Sequence, residues 1–145
     1  MFVKQISVFL ENIKGSLSEM TGILAAGNVD LMALSIADTQ NFGILRCVVR
    51  SQDCLRAIGL LREQGYTVRE TNVLCVGVPD QPGGLNAVLK AIEDQDLSIE
   101  YTYSFVRGKD GMALIIFRLD DPQKGLLAFE KAHIRLLSQS EVDAL

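Results

Sequence analysis

The chain has 145 residues, 48% of them hydrophobic, and a formal net charge of −4. That length allows one ordinary domain or two very small ones. The acidic balance argues against a nucleic-acid backbone as partner. No apolar run approaches the ~20 residues needed to span a bilayer.

In chain order, MFVKQISVFLEN alternates as a strand and lacks the continuous apolar core of a signal peptide, so a cytoplasmic protein is expected. ENIKGS follows, then a helix with Leu17, Met20, Ile23 and Leu24 at helical spacing. Ser16 with Glu19 three residues on predicts a capping box, and Gly27-Asn28 predicts the helix end. DLMALSIA reads as a strand, DTQN as a turn and FGILRCVVR as a strand. Asp53 is expected to cap the helix CLRAIGLLREQ, Gly65 to stop it, and YTVRET to follow as a strand. VLCVGV is again a strand. It runs into DQPGGL (80–85), then the helix LNAVLKAIEDQ, the strand LSIEYTYSF, the turn VRGKDG, the strand MALIIFRL, the helix PQKGLLAFEKA and a closing IRLLS.

The order strand, helix, strand, strand, helix, strand occurs twice. Shifted by 68 positions, Val8 meets Val76, Gly15 meets Gly83, Leu17 meets Leu85, Gly43 meets Gly111, Arg50 meets Arg118 and Asp53 meets Asp121, with no gap needed. The expected fold class is α+β: two tandem ferredoxin-like βαββαβ units, 1–70 and 71–145, each an antiparallel four-stranded sheet with its helices on one face. MALIIFRL is apolar on both faces. In the preceding strand, alternation puts Ile99, Tyr101, Tyr103 and Phe105 on one face. A sheet apolar on both sides needs a second cover, either the other repeat or another chain, and a homodimer is expected.

The chemistry-bearing residues are few. Cys47, Cys54 and Cys75 are odd in number and irregularly spaced, so neither a disulfide framework nor a zinc site is expected, and Cys47 and Cys75 read as buried thiols. His133 stands alone near a helix end, and no nucleophile motif is present; neither catalysis, nor a metal, nor a cofactor is expected. The two strand-to-helix junctions remain. A helix start offers N–H groups without intrahelical partners and a partial positive charge, and glycine lets a ligand approach them closely. Such a junction can hold a carboxylate as readily as a phosphate. A tight turn without a ligand is the plain alternative.

DQPGGL, between a strand and a helix, resembles the signature loop of the ACT domain, a regulatory ferredoxin-like module. With FLENIKGSL, SIADTQNFGILR and IEYTYSF, nearly the whole chain resembles small tandem-ACT proteins that carry no catalytic domain. The first repeat departs from the loop pattern, with Lys14 where the second has Pro82. The resemblance implies a non-catalytic protein that senses a free amino acid at ACT-domain interfaces and modulates a partner enzyme in amino-acid metabolism. A ligand-free interaction module acting as a regulatory subunit is the alternative. Carried over by position, the first-repeat site is Glu11, Asn12, Lys14, Gly15, Ser16 and Leu17 with Asp38, Phe42, Gly43 and Ile44. The second is Asp80, Gln81, Pro82, Gly83, Gly84 and Leu85 with Tyr103, Ser104 and Phe105. The first repeat is the favoured binder because it offers more polar groups to a zwitterion. Basic residues, which a nucleic acid would want among the aromatics of SIEYTYSF, are missing there.

Overall fold

The computed structural model describes residues 1–38, 42–106 and 108–145; the side chain of Asp38 is also left undescribed. Most of the predicted DTQN turn and one residue of the VRGKDG turn therefore lie outside the described residues. The chain divides into two compact units, Lys4–Thr71 and Asn72–Leu145, the latter including Met1–Val3.

The N-terminal unit runs β1 (Val3–Glu11), α1 (Ser16–Ala26), β2 (Ala33–Asp38), β3 (Phe42–Val48), α2 (Ser51–Glu63) and the start of β4 (Val68–Pro79). Its strand order is β2-β3-β1-β4, with β3 antiparallel to both neighbours. Every second residue of β1 faces the helices. Ile6, Val8 and Leu10 join Leu45 and Cys47 of β3 under Met20 and Leu24 of α1 and Ala57 and Leu61 of α2.

The C-terminal unit takes the rest of β4, then α3 (Gly84–Lys90), a 3-10 turn (Glu93–Gln95), β5 (Ile99–Ser104), β6 (Met112–Leu119), α4 (Pro122–Lys131), β7 (Leu136–Leu137) and α5 (Gln139–Asp143). Its order is β5-β6-β4, with β7 also paired to β4. Leu74, Val76 and Val78 pack with Phe117, Leu119, Val88 and Phe129. The Phe117 and Phe129 rings meet edge-on at 5.7 Å. On the other face of β6, Leu114 and Ile116 are buried within the single chain, so these two residues need no second subunit to cover them.

Several local expectations are corrected. The capping box at Ser16 does not form: Gly15, at φ 90°, is the N-cap and makes Ser16 the first helical residue, one step too far in to cap. The second helix starts earlier than read, behind Arg50, which places Asp53 inside the first turn, buried and ion-paired with Arg56. YTVRET and VLCVGV are not two strands but parts of one, β4. Ile99 does not share a face with the tyrosines. The ladder pairs Ile99 with Leu119 but Tyr101 with Arg118, so a bulge at Glu100 turns Ile99 toward the helices. The two copies also do not align without a gap. Val8 pairs with Leu45 and Val76 with Ile115, so the β5–β6 hairpin is two residues longer and the counterpart of Gly43 is Ala113, not Gly111. The helix after DQPGGL ends at Lys90, earlier than its apolar spacing suggests. Helix α5 went unread, although Ser138 and Glu141 form the capping box that their spacing signals.

The three cysteines are free and buried. Burial pushes the thiols of Cys47 and Cys75 up to about 12. Cys54 rises to about 11, through burial and then its hydrogen bond to Glu70, 3.4 Å away. His133 follows α4, exposed and in the left-handed conformation at φ 54°.

Candidate functional site

The two strand-to-helix junctions are built alike. Ile13 N–H donates to the Glu11 carbonyl at 2.9 Å, Ser16 N–H to Ile13 at 3.3 Å and Glu19 N–H to Gly15 at 2.9 Å. Sixty-eight positions on, Gln81 N–H donates to Pro79 at 2.8 Å, Gly84 N–H to Gln81 at 3.0 Å and Ala87 N–H to Gly83 at 2.9 Å. Gly15 (φ 90°) and Gly83 (φ 84°) occupy the left-handed position that makes the turn possible. Gly84 has a different reason. A Cβ there would stand 2.0 Å from the Pro79 carbonyl oxygen, so the chain's own backbone makes the close approach at this residue. Helix α3, with seven residues, is also a short dipole. DQPGGL is thus explained largely as a turn.

The N-terminal junction differs because a groove opens beside it, about 620 Å³ in volume. Six predicted residues line it: Glu11, Asn12, Gly15, Ser16, Leu17 and Gly43. Six others went unread: Leu10, Ile13, Ser18, Thr21, Leu34 and Ile36. The groove exists because β2 is an outer strand. Leu34 and Ile36 pair in register with Cys47 and Leu45 and share their core-facing side, yet they remain 38% and 44% exposed. Alternation marked this side as core, and no sequence signal says how far α1 reaches across it. At one end of the groove are the first-turn N–H groups of α1, with Glu11 and Asn12. Along the floor are Leu34, Ile36 and the bare backbone of Gly43.

Other predicted residues lie elsewhere. Phe42 and Ile44 flank Gly43 in β3 and so point to the opposite face of the sheet. Lys14 is exposed and does not line the groove. Asp38 ends β2 opposite Gly43, with its side chain outside the described residues. In the C-terminal unit, Asp80, Gln81, Pro82 and Gly83 are exposed, and Leu85 is 39% exposed at the start of α3. The structure does not bring their three strand partners together. Ser104 faces the α3 side of the sheet, opposite Ile115, while Tyr103 and Phe105 face away.

A larger cleft, about 820 Å³, lies between the C-terminal end of α1 and the start of α2. Its charges pair off, Arg50 with Asp30 at 3.5 Å and Arg56 with Asp53, which leaves no net charge to draw a ligand. The smaller groove, with a polar end and an apolar floor, is the better site for a small amphiphilic molecule. Among the described residues no helix is long and apolar enough to cross a membrane.

Two βαββαβ units in one chain, each starting its first helix from a left-handed glycine, define a tandem ferredoxin-like protein. The chain belongs to the family described as the ACT domain pair, which matches residues 1–142. The chain is similar to protein BT0572 from Bacteroides thetaiotaomicron, at 34% identity and a TM-score of 0.89, over 100% of this chain and 98% of that one. It shares its fold with the ligand-free regulatory subunit of aspartate kinase from Thermus thermophilus, at 15% identity and a TM-score of 0.63, over 89% and 91% of the two chains. Aspartokinase III from E. coli, in complex with lysine and aspartate, is similar at 19% identity and a TM-score of 0.55, over 92% of this chain and 31% of that one. A comparison with curated proteins found no match.

Proposed function

We propose that this protein is a non-catalytic sensor that binds a free amino acid in the groove of its N-terminal unit and modulates a partner in amino-acid metabolism. One observation carries the reading: a helix start, an acid, an amide and an apolar floor converge on one groove of about 620 Å³, roomy enough for an amino acid. The carboxylate is placed at the first turn of α1, where the dipole favours it. Glu11 and the Asn12 carbonyl oxygen accept from the ammonium group, with Asp38 nearby in the chain fold. The side chain lies along Leu34 and Ile36. The shared fold with a regulatory subunit of aspartate kinase, and the lysine and aspartate held by the E. coli enzyme, support the same direction.

The protein is read as a homodimer. Phe9 and Phe42 stay exposed on the sheet face away from the helices, their ring centroids 6.4 Å apart, and offer an apolar patch for a second copy. Light scattering showing a monomer that persists at high concentration removes this part.

The deciding experiment is thermal unfolding against the twenty amino acids. A ligand at a hundred times its dissociation constant adds about 2.7 kcal/mol. One amino acid or one related group should raise the midpoint, and Asn12→Ala with Asp38→Ala should abolish the rise. A flat panel overturns the sensor reading and leaves the interaction module.

A further inference from the structure

We infer that each chain binds one ligand, in the N-terminal unit alone, and that the ligand's side chain is apolar. This rests on the sensor reading above and deepens it.

The observation is a comparison of the two units at structurally equivalent positions. The strand registers make Leu34 the counterpart of Thr102 and Ile36 that of Ser104, since Leu34 pairs with Cys47 and Thr102 with Phe117, Ile36 with Leu45 and Ser104 with Ile115. In the N-terminal unit the side of the outer strand that faces the helices is therefore apolar. In the C-terminal unit the two equivalent positions carry hydroxyls instead, that of Thr102 donating to the Ile116 carbonyl at 2.8 Å. Thr21 lines the groove from α1, and its counterpart 68 positions on is Leu89, which packs against the core of its own unit. Gly43 gives the groove depth, and its counterpart Ala113 carries a methyl group. Each of the three differences opens or greases the first site and fills or wets the second.

The chemistry of the N-terminal floor selects the side chain. Of the described residues that line the groove, only Glu11 is charged, and it lies at the end that receives the ammonium group. A cationic or anionic side chain along Leu34 and Ile36 would lose its hydration without gaining a partner. An aliphatic or aromatic one covers exposed apolar surface on both itself and the strand. Thr21 does not offer its hydroxyl to the groove. It donates back into its own helix, to the carbonyls of Leu17 at 2.9 Å and Ser18 at 3.2 Å.

The test exchanges residues between the copies. Thr21→Leu carries the filled state of the second site into the first. The lost hydroxyl served only its own helix, so the fold should stand. Titration calorimetry of the full chain with leucine, isoleucine, valine, methionine, phenylalanine, lysine and aspartate is run on the wild type, Thr21→Leu, Ile36→Ser and Leu89→Thr. The expected result is one site per chain for one or more of the five apolar amino acids. Affinity should be at least tenfold weaker in Thr21→Leu and Ile36→Ser and unchanged in Leu89→Thr. Circular dichroism confirms that the variants fold. Two sites per chain, or loss of binding in Leu89→Thr but not in Thr21→Leu, overturns the assignment to the first unit. Lysine or aspartate binding with loss in Thr21→Leu keeps the sensor reading and overturns the apolar class. Absence of binding by all seven overturns the apolar class, and the sensor reading falls with it only if the full panel of twenty is also flat.

Discussion

Replacing Gly84 with alanine adds one methyl group to a junction with no room for it. The new Cβ would stand 2.0 Å from the Pro79 carbonyl oxygen and 3.1 Å from its carbon. That oxygen cannot swing aside. Pro79 is held in the β4 ladder opposite Met112, and its carbonyl already accepts from Gln81 N–H at 2.8 Å. Relief therefore requires α3 to move off the strand, against the packing of Val88 in the core. Overpacking of this kind costs about 1–3 kcal/mol, and a backbone contact belongs at the upper end, about 2–3 kcal/mol. Gly27→Ala is the matched control. Its Cβ meets the Leu60 side chain at a nominal 2.1 Å, but the contact is a terminal methyl of a half-buried leucine, which rotates away. Thermal unfolding by circular dichroism reads both. At about 2–4 °C per kcal/mol for a chain of this size, Gly84→Ala should fall by about 4–12 °C and Gly27→Ala by less than about 2 °C. Equal midpoints for the two variants, or a larger loss for Gly27→Ala, would refute the claim that backbone approach explains the second glycine.

Two further outcomes follow from titrating groups. At pH 8 a thiol at about 12 is ionised in roughly one molecule in 10⁴, against about a quarter for an ordinary cysteine. Thiol reagents should therefore label Cys47 and Cys75 only after unfolding in urea, and fast labelling of the native protein contradicts their burial. Glu141 is held down to about 2 from 4.5, first by Ser138 N–H, then by Arg135 and the Ser138 hydroxyl. Its folded value is depressed, so its contribution is complete above about 4.5 and lost as pH falls through about 2. Glu141→Gln should flatten the fall in stability across that window in urea titrations, and parallel curves for the two proteins refute the linkage.

Element order was legible because the apolar spacing changes from 2 to 3.6 wherever strand gives way to helix, and the duplication was legible because Gly15 and Gly83 punctuate both copies. What escaped depends on relations that a one-dimensional pattern does not carry. The bulge at Glu100 keeps local alternation but reverses which face Ile99 takes. The extra two residues of the second hairpin show only in the pairing of Val76 with Ile115. Of the candidate site residues, Glu11, Asn12, Gly15, Ser16, Leu17 and Gly43 line the groove because they adjoin the junction in sequence or in strand pairing. Phe42 and Ile44 were drawn in by adjacency and excluded by the parity of the strand. Leu34 and Ile36 were missed because a core-side residue on an outer strand reads like any core residue.

The two outer strands differ in how they meet the outside. β5 is broken by its bulge and carries Glu100, whose carboxylate accepts from Arg118 at 3.1 Å. A foreign strand that tried to extend that ladder would find an interrupted register and a charge. β2 is six residues of unbroken register whose one charged residue, Asp38, stands at its end. Among the described strands its outer edge is therefore the more open of the two to strand addition. A molecule seated in the proposed groove, along Leu34 and Ile36, would cover one face of that same strand.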